Sequence, residues 1–599
     1  MENEKLHHIR HSLAHILASA VVEMFPQANL GVGPVIENGF YYDFLLPRPI
    51  TPEDLKKIEK RMRELVRQKL PFERQEMSTG EAKDFFRNAK QTFKVELIED
   101  IEKFGTTEMD QIEGQAGKPG AAEKKVESVS LYKTGKFVDL CRGGHVESTS
   151  EIKADAFKLD RFSGAYWRGD QKNPQMQRIY GLAFESKEEL EAYLKMVEEA
   201  EKRDHRSLGP KLDLFMFHEY APGIPFYLPK GSIVRNELEK FVRSVSYGPG
   251  YSEVRLPQLF DSELFKTSGH WEHYKDDMFT LESEGRTFGL KPMNCPGHML
   301  LFKQGLYSYR DLPLRYAEMS TLYRNELSGT LSGLTRVRAF AQDDCHIFLA
   351  TEQVADEVAE LLSRIQKIYA VFDMRVEDVA LSTKPEKSLG TKEEWDTAEA
   401  ALAEALKKAG WQYEINAGDG AFYGPKIDMR IRDALGRKWQ LATIQLDFQM
   451  PQRFGLEYVA PDSSRKTPIV IHRALLGSFE RFLAILIEHY AGAFPLWLSP
   501  VQVSILPISE NQAAFAGEIK DRLLAVNASL RMEVDARDES IGKKIREATM
   551  QKIPYQIILG QKEADAGMLS VRTREGEDLG QMSLEAFAEK LQKQVIEKK

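Results

Sequence analysis

Apolar residues recur at Leu13, Ile16, Leu17, Val21 and Met24, the spacing of one buried face on a helix running from His11 to Met24. Residues Gly31 to Phe44 switch to a turn and a strand carrying Tyr41 and Tyr42. From Ser186 to His205 the pattern predicts a charged connecting helix with a thin apolar stripe at Leu190, Tyr193, Leu194 and Val197, its polar side a solvated face. Pro/Gly turns at residues 222–231 lead into a helix from about Ser232 and then a strand. Leu314 to Phe348 reads as a long hairpin: an apolar run, Tyr323-Arg324-Asn325-Glu326, a Gly/Ser-rich turn at Ser328 to Gly333, and a return through Val337 and Phe340 to a dense polar end. Residues 422–433 and 438–454 alternate like strands of one antiparallel sheet. After Pro495 and Pro500 strands and helices alternate, with one helix around Asn511 to Leu524, which predicts a small α/β domain with a parallel-leaning sheet.

A chain of 599 residues predicts roughly four domains at about 150 residues each. The pattern places their boundaries at 1–185, 186–207 (the connecting helix), 208–497 and 498–599, an α+β multidomain protein. The tract Gly114 to Lys125 reads as a solvated loop. A net charge of -9, from 82 basic and 91 acidic residues, argues against a polycation that coats nucleic acid, while leaving room for a local basic face toward RNA. Three cysteines fit a reducing compartment. With no secretory segment at the start and no run of 18 apolar residues, the expectation is a soluble cytoplasmic protein without a membrane partner.

Chemistry concentrates in two places. His11 and His15 lie one helical turn apart on one face, and Cys141 and His145 follow a strand in a glycine turn. HxxxH with CxxxH has metal-ligand spacing, and serves equally as a metal-free polar pocket for proton transfer. In the hairpin, Arg324 and Arg336 offer guanidinium forks suited to phosphate or carboxylate oxygens. Glu326, Gln342, Asp343 and Asp344 are near enough in sequence to share one face with them. Cys295, by default a buried small hydrophobe, would form with His346 and His472 a three-ligand set with one open position, the arrangement of a reactive zinc. Spacing alone does not bring those three together.

The run RNELSG, a turn, RVRAFAQDD and a histidine resembles motif 2 of class II aminoacyl-tRNA synthetases, in the version of the threonyl-tRNA synthetase family. The helix after Ser232 with Pro257 resembles motif 1, a dimer element, and GSFERF with Arg481 resembles motif 3. The resemblance implies an antiparallel catalytic core flanked by helices, an N-terminal editing domain shared with alanyl-type enzymes and a C-terminal anticodon-binding domain. It implies that Cys295, His346 and His472 do meet on Zn²⁺, with Cys345 and His298 as packing residues. Arg324, Arg481 and Glu326 would be catalytic, the last through Mg²⁺. Met293, Arg336, Phe340, Gln342, Asp344, Tyr423, Lys426, Gln440 and Gln445 would contact threonine or ATP. His11, His15, Tyr42, Lys94, Asp139, Cys141 and His145 would form an editing pocket working without metal, and Glu563 and Arg572 would read anticodon bases. Gly144 departs from the proline more usual in CRGPH, and because many bacterial members carry a small ubiquitin-like domain before the editing domain, the resemblance is to a form without it.

The activity implied is formation of threonyl-adenylate and its transfer to tRNA(Thr) by a homodimer, with hydrolysis of mischarged Ser-tRNA(Thr). Valine would leave a zinc site and its polar partners unsatisfied, a mismatch worth about 10⁴ to 10⁵, whereas serine lacks one methyl, worth about 10 to 200-fold. A second site is therefore required. Two other readings remain open at this point: a synthetase-like binding protein without aminoacylation, and a zinc hydrolase centred on the N-terminal pairs.

Overall fold

The computed structural model describes residues 4–106, 126–170, 172–248, 250–433 and 436–599. The Gly114 to Lys125 tract lies outside the described residues. The chain forms two compact units, Met1–Glu198 and Glu199–Lys599.

In the first unit the helix Glu4–Met24 buries Leu13, Ile16, Leu17 and Val21, four of the five positions whose spacing predicts it. It packs on a five-stranded antiparallel sheet built around Gly39–Leu45, Gln175–Ala183 and Phe157–Tyr166. Helix Pro52–Arg67 starts on a capping box between Thr51 and Asp54, a device worth about 1 kcal/mol. A three-stranded antiparallel sheet, Glu73–Ser78, Ser128–Thr134 and Phe137–Leu140, carries the Cys141 turn at its end.

The second unit is organised by an eight-stranded sheet in the order Tyr251–Glu253, Leu314–Glu318, Asp344–Leu349, Ile469–Ala474, Lys438–Asp447, Lys426–Arg432, Arg375–Ser382, Glu414–Asn416. The ladder is antiparallel except at its two edges. Helices Val354–Ala370, Lys392–Lys408 and Phe479–His489 cover it with an apolar core. The motif 1 helix runs Pro229–Ser246, starting three residues before the predicted Ser232 because Pro229 fits the first helical turn, where its missing N–H costs nothing.

The predicted single hairpin is two ladders. Leu314–Glu318 pairs with Asp344–Leu349, and Thr321–Tyr323 with Ala339–Ala341. Arg324 and Arg336 therefore sit beyond the strands. Residues 502–594 hold a five-stranded sheet in which Met532–Val534, Val503–Pro507 and Tyr555–Leu559 run parallel, while Leu569–Thr573 and Asp578–Met582 return antiparallel. The parallel expectation holds for three strands of five: Leu569–Thr573 returns antiparallel after the short helix Gln561–Ala566, and Asp578–Met582 follows it through a short turn.

Candidate functional site

A cavity of about 400 Å³ is lined by strands Lys426–Arg432 and Lys438–Asp447, the tip of the motif 2 loop and the start of helix Phe479–His489. Three arginines surround it. Arg324 follows its strand with its N–H bonded to Arg338 O at 2.9 Å, and its guanidinium lies 5.1 Å from the Phe340 ring centre. Arg336 meets the Glu326 carboxylate at 2.8 Å. Arg481 occupies the first turn of its helix, its N–H accepted by the capping hydroxyl of Ser478 at 3.1 Å.

The preceding Gly477 has φ +77°, and a Cβ there would lie 3.0 Å from Leu441 O, so the turn that aims Arg481 requires glycine. A cation in a first helical turn opposes the helix dipole. Burial, with the like charges of Arg336 and Arg324, pushes the Arg481 guanidinium below its ordinary range. An anionic occupant would relieve both penalties.

On the floor, Asp428 gathers Gln440 Nε2 at 2.7 Å, Thr443 Oγ1 at 3.1 Å, Ser382 Oγ at 2.9 Å and Lys426 Nζ at 3.0 Å. Gln342 and Gln445 complete the wall. Gln445 accepts the Tyr423 hydroxyl, and the Tyr423 ring stacks on His472 at 4.9 Å between centroids. Through that pair the cavity adjoins the cysteine and histidines.

Cys295, His346 and His472 are buried, with one potential ligand atom of each within 4.8 Å of the others. The structure thus brings together residues separated by up to 177 positions in sequence. His472 Nε2 is held by Asp447 Oδ2 at 2.9 Å, and His346 Nδ1 contacts His298 Nδ1 at 2.7 Å. His472 Nδ1 and His346 Nε2 remain buried without a hydrogen-bond partner. Two orphaned imidazole nitrogens beside a thiol, each ring fixed from behind, fit a metal ion. Burial holds His346 well below its ordinary range, so it is neutral and able to ligate. Burial, then Asp344 and Asp447, push the Cys295 thiol well up. A bound cation would reverse that shift and hold the thiolate.

Met293 packs beside Cys295, and Asp344 accepts from Asn294 Nδ2 at 3.0 Å. Met293, Asp344 and Tyr423 therefore stand around the Cys/His set, apart from the arginine cavity. Asp343 does not share that face. Its carboxylate takes the N–H groups of Leu475 and Leu476 at 2.9 to 3.1 Å and faces the buried Arg473 from the position just before strand Asp344–Leu349. His298 also departs from a pure packing role, since it contacts His346 and lies 3.3 Å from Glu318.

In the first unit a cavity of about 570 Å³ is lined by His11, His15, Tyr42, Lys94, Asp139 and Cys141 among others. His11 Nε2 and His145 Nε2 lie 3.5 and 3.2 Å from Cys141 Sγ. His145 Nδ1 contacts Ser12 Oγ at 3.2 Å, and its ring stacks on Phe72. Behind them Lys94 Nζ meets Asp139 Oδ1 at 2.6 Å, and Tyr42 donates to Asp139 Oδ2 at 2.5 Å, all three buried. Burial lowers the pKa of His11, His15 and His145 and pushes the Cys141 thiol up to about 11. The pocket thus presents neutral imidazoles and a neutral thiol beside a buried ion pair. Gly144 has φ +83°, closed to a proline ring fixed near −65°. A proline at this position would require a different path of the loop.

Residues 279–490 match the tRNA synthetase class II core domain (G, H, P, S and T), 502–594 the anticodon binding domain, and 129–180 the threonyl and alanyl tRNA synthetase second additional domain. Threonine–tRNA ligase of Azoarcus sp. (strain BH72) is 52% identical over 582 residues, 97% of this chain and 87% of that protein. The chain belongs to the threonine–tRNA ligase family. The counterpart from Caldanaerobacter subterraneus subsp. tengcongensis is 49% identical over 98% of this chain and 87% of that protein. A solved Cryptosporidium parvum structure, described as the RNA binding domain of threonyl-tRNA synthetase, is 42% identical with TM-score 0.63 over 65% of this chain and 98% of its own. Giardia lamblia prolyl-tRNA synthetase shares the fold at 18% identity and TM-score 0.51, over 67% of this chain and 81% of its own.

Class II core and editing-type domain are thus present together in this ligase-family chain. In the anticodon-binding domain, Glu563 accepts the Gly560 N–H at 2.9 Å, and Arg572 lies on the strand beside Asp578, at a position alternate to the buried Leu569 and Val571. Sequence reading misses Asn294, Glu318 and Glu480. Glu480 is buried and accepts from Ala341 N at 2.9 Å and Arg235 at 2.7 Å, tying motif 3 to motifs 2 and 1. Its one sequence signal is a carboxylate inside the apolar run of GSFERF.

Proposed function

We propose that this chain activates L-threonine with ATP, transfers it to the 3′ end of tRNA(Thr), and hydrolyses Ser-tRNA(Thr) in the N-terminal cavity. The observation that carries the reading is the junction of two unlike sites: an arginine-lined cavity reaches, through Gln445 and Tyr423, a buried Cys/His set with two orphaned nitrogens.

Arg324 and Arg481 hold the ATP phosphates and stabilise charge that grows on the α-phosphate as the threonine carboxylate attacks in line. Arg336 fixes the triphosphate end, and Glu326 becomes available to Mg²⁺ once phosphate displaces it from Arg336. Phe340 packs under Arg324 and carries the adenine side of the cavity, while Gln440 and Lys426 are oriented by Asp428. Cys295, His346 and His472 would hold Zn²⁺, which supplies Lewis-acid recognition of the threonine amino and hydroxyl groups. Asp344, Gln342, Gln445, Tyr423 and Met293 orient the amino acid beside that set.

In the editing cavity neutral His11 accepts a proton from water, and Cys141 and His145 shape the pocket with His15. Lys94, paired to Asp139 and bonded to Tyr42 at 2.9 Å, sets a fixed positive field for the ester oxygen. Glu563 and Arg572 face anticodon bases, for which a bidentate arginine suits guanine. Helix Pro229–Ser246 and the sheet-edge strand Tyr251–Glu253 form the surface for a homodimer partner. No helix among the described residues is long and apolar enough to cross a membrane, and the proposed setting is the cytoplasm. The test is charging of a tRNA(Thr) transcript with labelled threonine. Charging with threonine, with serine retained on the tRNA only in a Cys141→Ala or His11→Ala variant, is the expected result. Failure to charge any tRNA by a folded, metal-loaded protein overturns it.

A further inference from the structure

His205 lies outside every motif described so far. It opens the short helix His205–Lys211, and the residue is 3% exposed. Nδ1 lies 2.6 Å from Glu488 Oε1 at the far end of the motif 3 helix, and Nε2 lies 3.0 Å from the Leu334 backbone N–H in the tip of the motif 2 loop. An N–H donor at Leu334 makes Nε2 the acceptor, so the ring proton sits on Nδ1 and is donated to Glu488. Glu488 is in turn held by Arg437, which also bonds Asp433 at 2.8 Å.

The loop is built to receive this ring. Gly333 has φ +48°, and a Cβ there would lie 2.2 Å from His205 Nε2 and 2.7 Å from Arg206 Cγ. Any side chain at 333 would displace either the loop or the imidazole. The next residues lead straight to the cavity. Thr335 O accepts from Arg481 Nε at 3.2 Å, and Arg336 carries the guanidinium paired with Glu326.

We propose that His205 is a positioning residue for the ATP cavity: its hydrogen bond to Leu334 fixes the segment Leu334–Arg336, and through it the placement of Arg336 and Arg481. It touches no substrate. The inference rests on the ATP-activation reading of that cavity, to which it adds a positioning residue from the start of the second unit.

Two variants separate the ring's bonds. His205→Gln can place an oxygen near the Nε2 position and keep the Leu334 bond, whereas His205→Asn can keep only the Glu488 bond. The readouts are ATP and threonine dependence of threonine-dependent pyrophosphate exchange, equilibrium ATP binding to the full chain, and thermal melting. His205→Asn and Gly333→Ala are expected to raise the ATP KM and Kd about fivefold, the factor of one hydrogen bond, with threonine KM unchanged and His205→Gln within about twofold of the parent. Unchanged ATP constants in a folded His205→Asn chain overturn the proposal, as does equal loss in both His205 variants together with a lowered melting temperature. Absence of exchange in the parent counts against the activity reading alone, and the ATP-binding comparison then decides the role of His205.

Discussion

Asp447 Oδ2 lies 2.9 Å from His472 Nε2, and the opposite ring nitrogen, Nδ1, is left buried without a partner. A carboxylate behind a histidine fixes its tautomer and raises its basicity toward a metal, and loss of such a partner costs about 10 to 100-fold in affinity. Asp447→Asn is therefore expected to weaken Zn²⁺ retention by about that factor, measured by competition with a chromogenic chelator. Cys295→Ser is expected to abolish stoichiometric zinc, and His15→Ala to leave it intact. Metal lost on changing His15 but retained on changing Cys295 would move the metal to the N-terminal cavity.

Lys94 and Asp139 form an ion pair whose side chains are 3% and 2% exposed. Removing one partner leaves an uncompensated buried charge, at a cost of about 3 to 5 kcal/mol. Lys94→Met and Asp139→Leu are each expected to destabilise by that amount in chemical denaturation, and the double variant is expected to recover most of the loss. Additive losses in the double variant would show that the two residues act independently.

Burial pushes the Cys141 thiol up to about 11, and Cys345 up to about 12. The thiolate is the reactive form, so the sign is toward low reactivity at neutral pH. Alkylation of Cys141 in the native chain is expected to be about 100-fold slower than that of a free cysteine at pH 7 and to rise about tenfold per unit toward pH 11. A rate that levels near pH 8 would mean an activated thiol and a nucleophilic role for Cys141. Complete protection that chelator removes would mean a metal on it.

Elements with strong periodicity are legible in the sequence. The helical spacing from Leu13 to Met24 falls inside Glu4–Met24, and the alternation at 438–447 is one strand of the large sheet. The motif 2 region is legible as chemistry but less so as structure. Its strands are three to six residues long, too short to fix a register by alternation, and the loop tip is held by His205, 129 residues away. The same limit applies to Asp343, whose carboxylate is turned to N–H groups 132 and 133 residues away, and to His298, whose contact with His346 spans 48 residues. The joining of Cys295, His346 and His472 is a property of sheet order: His346 and His472 are register partners on neighbouring strands, a relation that spacing alone does not contain.

Arg481 sits in a first helical turn with its guanidinium held below its ordinary range by burial and by Arg336 and Arg324. If that placement serves the developing phosphate charge, Arg481→Lys is expected to lower the exchange rate by about 10² to 10³, since lysine cannot reproduce the fork. Equal rates for Arg481 and Arg481→Lys would reduce its role to packing.

The central claim, that one cavity activates an amino acid chosen by its hydroxyl, is tested most directly by ATP–pyrophosphate exchange on the purified chain with threonine, serine, valine and alanine side by side. The account predicts strong exchange with threonine, exchange with serine reduced by about 10 to 200-fold, and none measurable with valine. Exchange with valine comparable to that with threonine, or none with any amino acid in a folded protein that contains zinc, would contradict it.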